Sequence, residues 1–495
     1  MLTSDRTLDE RGVILLLCYI NFLNYLDRGI IPGAPESFQH FMTETLGITG
    51  AEQSWYLGLL TSAFIASTAT CSLIFGVLAI KYRPFFLIAI GMASWIFAVF
   101  ICGLAHSFKN YYLLLFGRFL SGVGEASFHC NAMPFINRHA PKENSTVWLG
   151  IFIASISVGM SAGYVYGAVM ASSSMTWAGA FYIEALLMAP PVLVFLYYIP
   201  DDLNQVPRDK TSELPKALLD SSKSKTESPA KEAESDTEEP LLTQSYAVLA
   251  HPTFMLVALG HAAYTFSLSA FSIFCPVILI GMGMFTSERE VSFVFGAVMA
   301  IGGTIGTVVG GVVLDQRAEN NTVPPPERAR LAIELCFYLM IATVLVAMIM
   351  LAFMDYKVLF LVMLAATFFF IAAIGPAESV AVMELFPESH QAIAVAANTV
   401  LILVLGDVPS PLIIGWLKDT WAPRCGTVEI EGKAQLDPSC YKDRSGINGV
   451  LLFAVLWMLW AVLLWGAGKY LAKKDVQRPK ATTIVAETRS PVQIL

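Results

Sequence analysis

The segment GVILLLCYINFLNYLDRGIIPGA, residues 12–34, indicates how this chain folds. It is a mostly apolar run, about as long as the roughly 20 residues that a helix needs to cross the hydrocarbon core of a bilayer. Similar runs recur along the chain, and their approximate positions are 55–80, 85–106, 110–136, 147–171, 178–199, 253–283, 291–314, 331–354, 357–382, 391–417 and 447–471. The pattern predicts an all-α, multi-pass membrane protein with twelve transmembrane helices.

A polar segment after the sixth run divides these helices into two groups of six. Residues 201–250 are rich in Ser, Glu and Lys and contain no aromatic residue before Tyr246. Such a segment buries too little apolar surface to offset the entropy lost on ordering, so we expect a disordered linker. The predicted organisation is an N-terminal half at 1–200, the linker at 201–250, a C-terminal half at 251–472 and a tail at 473–495.

The composition excludes a soluble domain and disfavours several functions. The chain is 56% hydrophobic and only 14% charged, whereas charged residues make up about a quarter of a soluble domain. The net charge of −8 comes mostly from the linker and the termini, so we expect no nucleic-acid partner. Neither a HExxH motif nor a P-loop occurs, and we expect neither an enzyme nor a bound metal or cofactor.

The distribution of basic residues predicts the orientation. The loop at 35–54 contains no Lys or Arg, whereas the linker and the C-terminal tail contain several, so the positive-inside rule puts both termini in the cytoplasm. Within the linker, Glu238-Glu239-Pro240-Leu241-Leu242 is similar to an acidic dileucine sorting signal, although Thr237 stands where an acid is usual. The expected location is a late endosomal, lysosomal or plasma membrane.

Two of the eight cysteines lie in the one long loop on the non-cytoplasmic side. Cys425 and Cys440 bracket this loop, where a disulfide could persist. The sequence leaves open whether they form a bridge or remain two free thiols.

Four charged residues lie inside predicted membrane helices. Asp27 and Arg28 are in helix 1, and Arg118 and Glu125 are in helix 4, where their spacing of seven puts them on one face. Each ionisable residue at the centre of such a helix costs about 2.5–3.5 kcal/mol, so it usually persists where it lines a cavity or a proton path. We therefore predict a substrate- and proton-binding site, the alternative being a structural salt bridge between helices 1 and 4.

Other polar residues within the apolar runs are weaker candidates for the same cavity. Each could instead make a polar contact between helices. They are Glu184, Glu378, Asp407, Tyr25 and His261.

Several local strings resemble a known family. NFLNYLDRG at 21–29, GRFLSGVGEASF at 117–128 and LGDVPSPLIIGWLKD at 405–419 are similar to the Spinster branch of the major facilitator superfamily, and WLGIFIASISVGMSAGYVYGAVM at 148–170 to its plant and protist members. One departure is Ile80, which replaces the acid expected in the loop between helices 2 and 3, whereas Gly311 and Asp315 keep the corresponding spacing in the second half.

The resemblance implies a carrier of sphingoid or lysophospholipid molecules that works by alternating access. Proton coupling is proposed for some members. It also implies that Asp27, Arg28, Arg118 and Glu125 match the family's acid–arginine pairs. The expected partners are a lipid-like substrate, protons and membrane lipids, and we expect the protein to work as a monomer. A carrier of a sugar, amino acid or organic anion on the same scaffold, or a membrane sensor that transports nothing, are the alternatives.

Overall fold

The computed structural model describes residues 8–139, 145–205, 241–318, 323–430 and 432–477. Most of the predicted linker (206–240), part of the dileucine-like motif and most of the tail (478–495) lie outside these residues. The last part of the predicted linker is helical, because Leu241–Leu249 form helix α8, which packs against α13 of the C-terminal half.

The N-terminal half consists of six long helices and one short helix. They are α1 (Glu10–Gly33), α2 (Pro35–Leu46), α3 (Gln53–Lys81), α4 (Pro84–Ser107), α5 (Tyr111–His139), α6 (Ser145–Ala171) and α7 (Thr176–Tyr197). The short helix α2 was not predicted from the sequence. It begins at Pro35 and ends at Leu46, and the next residue, Gly47, has a φ of 66°, which suits a glycine after a helix.

The C-terminal half repeats this arrangement with a broken penultimate membrane helix. Its helices are α8 (Leu241–Leu249), α9 (Pro252–Gly281), α10 (Glu288–Arg317), α11 (Pro325–Ala352), α12 (Lys357–Glu384), α13 (Glu388–Ile402), α14 (Pro409–Trp421) and α15 (Arg444–Gln477). A π-helical turn, Leu403–Asp407, joins α13 to α14 just before Pro409. The three pieces together form one membrane-spanning segment.

The helices account for twelve membrane crossings. In the described part of the chain, eleven segments are long and apolar enough to span a bilayer. The twelfth is α5, which has 29 residues and packs against α3 and α4. Its mean hydropathy is lowered by polar residues such as Arg118, Glu125 and Asn131. The predicted fold, with two halves of six membrane helices, is confirmed.

Glycines allow helices to approach closely within each half. A Cβ atom on Gly29 of α1 would lie 2.6 Å from the carbonyl oxygen of Met160 on α6, so no larger residue fits. In the C-terminal half, Gly306 of α10 has the same relationship to Phe369 of α12, at 2.2 Å.

The string Gly159-Met160-Ser161-Ala162-Gly163 has the G-x-S-x-G spacing of hydrolase nucleophiles, but it lies inside α6, and Gly159 packs against α1.

A hairpin caps one end of the helical bundle, which we name the hairpin end; the opposite end, where α8 lies, is the linker end. Strands β1 (Thr427–Ile430) and β2 (Lys433–Leu436) pair antiparallel, with Thr427 opposite Leu436. Cys425 and Cys440 form a disulfide, which answers the question that the sequence left open.

The two halves are joined at the hairpin end by carboxylates that accept hydrogen bonds from helix N-termini of the other half. Asp419 of α14 accepts from the backbone N–H groups of Ser54 and Trp55 at the start of α3, at 3.2 and 2.7 Å. Each helix N-terminus has unsatisfied donors and a partial positive charge, so a carboxylate there stabilises the contact.

A second contact of this kind lies beside α2. Glu288 of α10 accepts hydrogen bonds from the backbone N–H groups of Glu36 and Ser37 and from Ser37 Oγ, at 3.1, 3.4 and 2.8 Å. Burial and the neighbouring Glu288 carboxylate raise the pKa of Glu36 to about 7. The hairpin adds a third contact, since Thr427 and Gln53 exchange two hydrogen bonds of 2.7 and 2.8 Å.

Candidate functional site

A cavity of about 310 Å³ lies between the two halves. Its wall is mostly apolar and aromatic, with a few polar groups from both halves, which is typical of small-molecule sites. The N-terminal half contributes Tyr25, Arg28, Ile31, Thr61, Phe64, Ile65, Arg118, Ile156, Ser157 and Met160. The C-terminal half contributes Tyr264, Thr265, Leu268, Ser269, Ser272, Ile273, Met299, Gly303, Phe368, Ile371, Ala372, Gly375 and Asp407.

Asp27 and Arg118 form a buried ion pair between α1 and α5. Arg118 Nη1 donates to both carboxylate oxygens of Asp27, at 2.8 and 2.7 Å, and the two side chains are 0% and 3% exposed. The guanidinium of Arg118 also lies 4.7 Å from the centre of the Phe64 ring. Separating so deeply buried a pair would be costly, because either charge would be left without a partner.

The neighbouring residue on α1, Arg28, pairs with Glu125 of α5. Its Nη2 donates to Glu125 Oε1 at 2.5 Å and its Nε to Oε2 at 3.3 Å. The Arg28 side chain is 22% exposed, whereas Glu125 is 1% exposed. The guanidinium therefore faces the cavity, and the carboxylate lies behind it.

Aromatic rings and a histidine complete this group. The Arg28 guanidinium lies 5.0 Å from the ring centres of both Tyr25 and Phe64, within cation–π distance. His129, one turn after Glu125, has its Nε2 atom 3.3 Å from Glu125 Oε1 without the geometry of a hydrogen bond. The structure thus brings together the four charged residues that the sequence analysis selected, as two ion pairs that join the same two helices.

Glu184 does not line the cavity. This α7 residue is 0% exposed, and neither oxygen of its carboxyl group has a hydrogen-bond partner among the described residues. Asp27 and Arg118 interact with it electrostatically. It is thus a buried neighbour of the Asp27–Arg118 pair that is not part of the cavity wall.

On the C-terminal wall, Asp407 is the charged residue that faces Arg28. It is the last residue of the π-helical turn before α14, and it interacts electrostatically with Arg28 across the cavity and with His261 beside it. Extra residues in a helix, as in a π-turn, frequently occur at functional sites because they redirect a side chain.

His261 and Glu378, which the sequence treated as separate candidates, are in contact with each other. His261 Nδ1 lies 2.6 Å from Glu378 Oε1, and Asn398 Nδ2 donates to the same oxygen at 2.9 Å. Tyr264, which lines the cavity, stacks on the imidazole with the two rings 4° from parallel. The His261–Glu378 pair is therefore separated from the cavity by one residue, Tyr264.

Asn398 and Phe64 are two residues of this site that were not predicted from the sequence. Asn398 is a lone amide in the apolar string AIAVAANTVLI, which is a signal that could have been used. Phe64, which lies against both arginines, is one aromatic residue among many in the membrane helices, and its sequence gives no such signal.

Comparisons with known proteins agree with this architecture. Residues 17–411 match the family model of the Major Facilitator Superfamily. Two relatives from Arabidopsis thaliana, named probable sphingolipid transporter spinster homolog 1 and homolog 2, are 29% and 30% identical over 84% and 83% of this chain and 84% and 81% of their own lengths. Protein spinster homolog 1 from Homo sapiens is 26% identical over 60% of this chain and 53% of its own length.

A solved structure shares the fold. The crystal structure of a bacterial homolog of the human lysosomal transporter Spinster, in an inward-facing and unoccupied conformation, has a TM-score of 0.67 at 18% identity and covers 94% of this chain and 98% of that one. At this identity the likeness concerns the fold alone. From the family match and the relatives, the chain belongs to the major facilitator superfamily and, within it, to the Spinster branch.

Proposed function

We propose that this protein is a proton-coupled secondary transporter of single-chain amphipathic lipids, of the sphingoid or lysophospholipid class. The observation that carries the proposal is the partly exposed guanidinium of Arg28 in a cavity whose wall is otherwise mostly apolar and aromatic. A lipid with a charged head group and one hydrocarbon tail likewise combines one charged end with an apolar remainder. The names of the two Arabidopsis relatives support the same substrate class.

Arg28 is the proposed contact for a phosphate head group. A guanidinium can donate two parallel hydrogen bonds to a phosphate or carboxylate, and it remains charged at every physiological pH. Asp407 lies on the opposite wall, and its carboxylate would accept hydrogen bonds from the ammonium group of a zwitterionic head. Leu268, Met299 and Ile371 provide an apolar surface for the tail.

Glu125 is the proposed link between protons and substrate. In the present arrangement its carboxylate holds the Arg28 guanidinium by two hydrogen bonds. A proton on Glu125 removes its negative charge, which frees Arg28 to bind an anionic head group. Substrate and proton would then bind together, and each would increase the affinity for the other.

Transport would follow an alternating-access mechanism in which the hairpin end faces the lumen or the exterior and both termini face the cytoplasm. The contacts of Asp419, Glu288 and Thr427 with the N-terminal half close the hairpin end in this state. Opening that end requires their separation. We further propose that the protein acts in a late endosomal, lysosomal or plasma membrane. It acts as a monomer and without enzymatic chemistry.

Purified protein in liposomes tests the substrate class. Uptake of a labelled lysophosphatidylcholine, sphingosine, glucose and alanine is measured with and without an inward proton gradient. We expect gradient-stimulated uptake of a lysolipid or sphingoid base alone. The matched variants are Arg28→Lys, which keeps the charge without the planar fork, and Arg28→Ala. Gradient-driven uptake of glucose or alanine with no lipid uptake would contradict the proposal, as would lipid binding without any flux.

A further inference from the structure

Three helices of the C-terminal half meet at the contact between His261 of α9, Glu378 of α12 and Asn398 of α13. His261 Nδ1 and Glu378 Oε1 are 2.6 Å apart, which is the distance of a close ion pair. Two atoms that each offered only a lone pair would repel at this distance, so a proton must lie between them. The proton belongs either to the imidazole or to the carboxyl group.

Asn398 is placed to stabilise the pair with the proton on either side. Its amide nitrogen lies 2.9 Å from Glu378 Oε1 and 3.3 Å from His261 Nδ1. When Nδ1 carries the proton, the carboxylate accepts from the amide. When Glu378 carries it, the carboxyl O–H donates to the single lone pair of Nδ1, and the amide still donates to Oε1.

We propose that His261 and Glu378, held by Asn398, form a second proton-binding site, which lies in the C-terminal half and is separate from the acid–arginine pairs of α1 and α5. The inference rests on the proposed function, because a proton site contributes to transport only in a proton-coupled carrier. Histidine is the side chain that ordinarily changes its charge between pH 5 and 8, which suits exchange between cytoplasm and an acidic lumen.

The surroundings of the pair give the proton a route from the cavity. The His261 side chain is 13% exposed and that of Glu378 is 5% exposed, so the imidazole is the outer member. Tyr264, which lines the cavity, stacks on the imidazole. Asp407 also lines the cavity, and it interacts electrostatically with His261. Behind the carboxyl group, Cys336 of α11 is the neighbouring titratable side chain in the described structure.

Two further groups lie around the His261–Glu378 pair: the indole N–H of Trp465 and, at a distance, the charge of Arg28. Trp465 of α15 packs against Tyr264 and donates its Nε1–H to the carbonyl oxygen of Val257. Arg28, across the cavity, interacts with Asp407.

The proton changes the charge that the C-terminal wall presents to the cavity. With the proton bound, imidazolium and carboxylate cancel, and Asp407 provides the negative charge of this wall. The exchanged proton is the one on Nε2: when it leaves, Nδ1 keeps its hydrogen against Glu378, and the pair becomes negative as well. An anionic head group held by Arg28 on the facing wall is repelled by that charge, so release of the proton at this site favours release of the head group.

The first test is the number of protons moved per substrate, measured in proteoliposomes from the pH gradient that just prevents net flux of a labelled lysophosphatidylcholine. We expect His261→Gln and Glu378→Gln each to lower this number by one and to flatten the dependence of uptake on pH between about 5 and 8. The control is His106→Gln, because His106 lies at the hairpin end against Phe41 and Trp177. Unchanged stoichiometry and pH profile in both variants would overturn the inference while leaving the proposed transport intact.

The second test uses the unmodified protein and needs neither a substrate nor a folded variant. Dicyclohexylcarbodiimide reacts with protonated carboxyl groups in membrane proteins, and peptide mass spectrometry locates the adduct. Diethyl pyrocarbonate, which needs a neutral imidazole, reports the other member of the pair in the same way. As the pH falls from 8 to 5, we expect either Glu378 to react more with the carbodiimide or His261 to react less with the pyrocarbonate, by severalfold. Unchanged reactivity of both residues over this range would overturn the inference. Absence of any proton coupling in the unmodified transporter would overturn both the inference and the coupling part of the proposed function.

Discussion

The guanidinium of Arg28 lies between the cavity and the carboxylate of Glu125, with 2.5 Å between Nη2 and Oε1. The arginine is 22% exposed and the acid 1%. A ligand in the cavity therefore meets the positive member of the pair first. This order supports the proposal that Arg28 is the recognition group and that protonation of Glu125 controls it.

Arg28→Ala should weaken binding of a phosphate-bearing lysolipid by roughly ten- to a hundredfold. This range corresponds to the loss of about 1.5–3 kcal/mol from a hydrogen bond to a charged group. Arg28→Lys should lose less, because it keeps the charge and one donor. Binding is measured by isothermal titration with detergent-solubilised protein. Equal affinity of all three proteins would show that the head group binds elsewhere.

Asp27→Asn should destabilise the protein, because it leaves the Arg118 charge buried and unpaired. It should also abolish coupling to the proton gradient, because the amide cannot carry a proton. Breaking such a pair costs about 3–5 kcal/mol. The double variant Asp27→Asn, Arg118→Gln removes both charges and should recover most of the thermal stability in detergent.

That double variant also separates function from structure. If the pair carries a proton, the stable double variant should still lack gradient-driven uptake. Recovery of coupled transport together with stability would instead show that the pair only holds α1 against α5.

Acid on the hairpin side should favour closure of the hairpin end through Glu36. Burial beside Glu288 raises the pKa of Glu36 to about 7 in the closed state, whereas separation of the halves would expose the group and return its pKa toward 4.5. The closed state thus binds the proton more tightly. Its added stability begins as the pH falls through about 7 and is complete below about 4.5.

A cysteine that replaces Thr61 of the cavity reports this equilibrium, in a background without the other free thiols. An impermeant thiol reagent added on the hairpin side should react more slowly as the pH falls from 8 to 5, after correction for thiolate content. Glu36→Gln should remove this dependence. Glu44→Gln is the control, because Glu44 pairs with Lys109 within the same half. A persistent pH dependence in Glu36→Gln would assign the effect to another group.

Asp419→Asn should open the hairpin end more often, because the amide keeps the shape but loses the negative charge at the start of α3. Loss of a cap costs about 0.5–2 kcal/mol, so the reactivity of the same cysteine should rise by roughly two- to thirtyfold. Asp443→Asn is a matched control, since Asp443 accepts from Arg424 N within the C-terminal half. A rise in both variants would indicate a general loosening of the hairpin instead of a gate.

The membrane helices and the pairing of α1 with α5 follow from local features of the sequence. Apolar length fixes each crossing, and charges within helices 1 and 4 indicate a salt bridge between these helices as one of the two interpretations. The contacts of Glu288 and Asp419 could not be predicted in this way, because each carboxylate meets backbone groups more than 250 residues away along the chain. Their sequence neighbourhoods look like ordinary helix ends.

The C-terminal cluster shows the same limit. Glu378 and His261 stand out singly as polar residues in apolar runs, but their contact depends on how α9 and α12 are rotated. Packing decides that rotation, through glycines such as Gly302 and Gly306 of α10 against α12. Glu184 stands out equally in the sequence, yet the rotation of α7 leaves it buried and outside the cavity wall.

The central claim is that protonation of Glu125 couples the proton gradient to the lipid bound at Arg28. Uptake of a labelled lysophospholipid into proteoliposomes that contain Glu125→Gln tests it most directly, with exchange of labelled for unlabelled lipid measured in parallel without a gradient. The account predicts that exchange persists, because the amide leaves Arg28 free to bind the head group, and that accumulation driven by the proton gradient is lost. Gradient-driven accumulation equal to that of the unmodified protein would contradict the account.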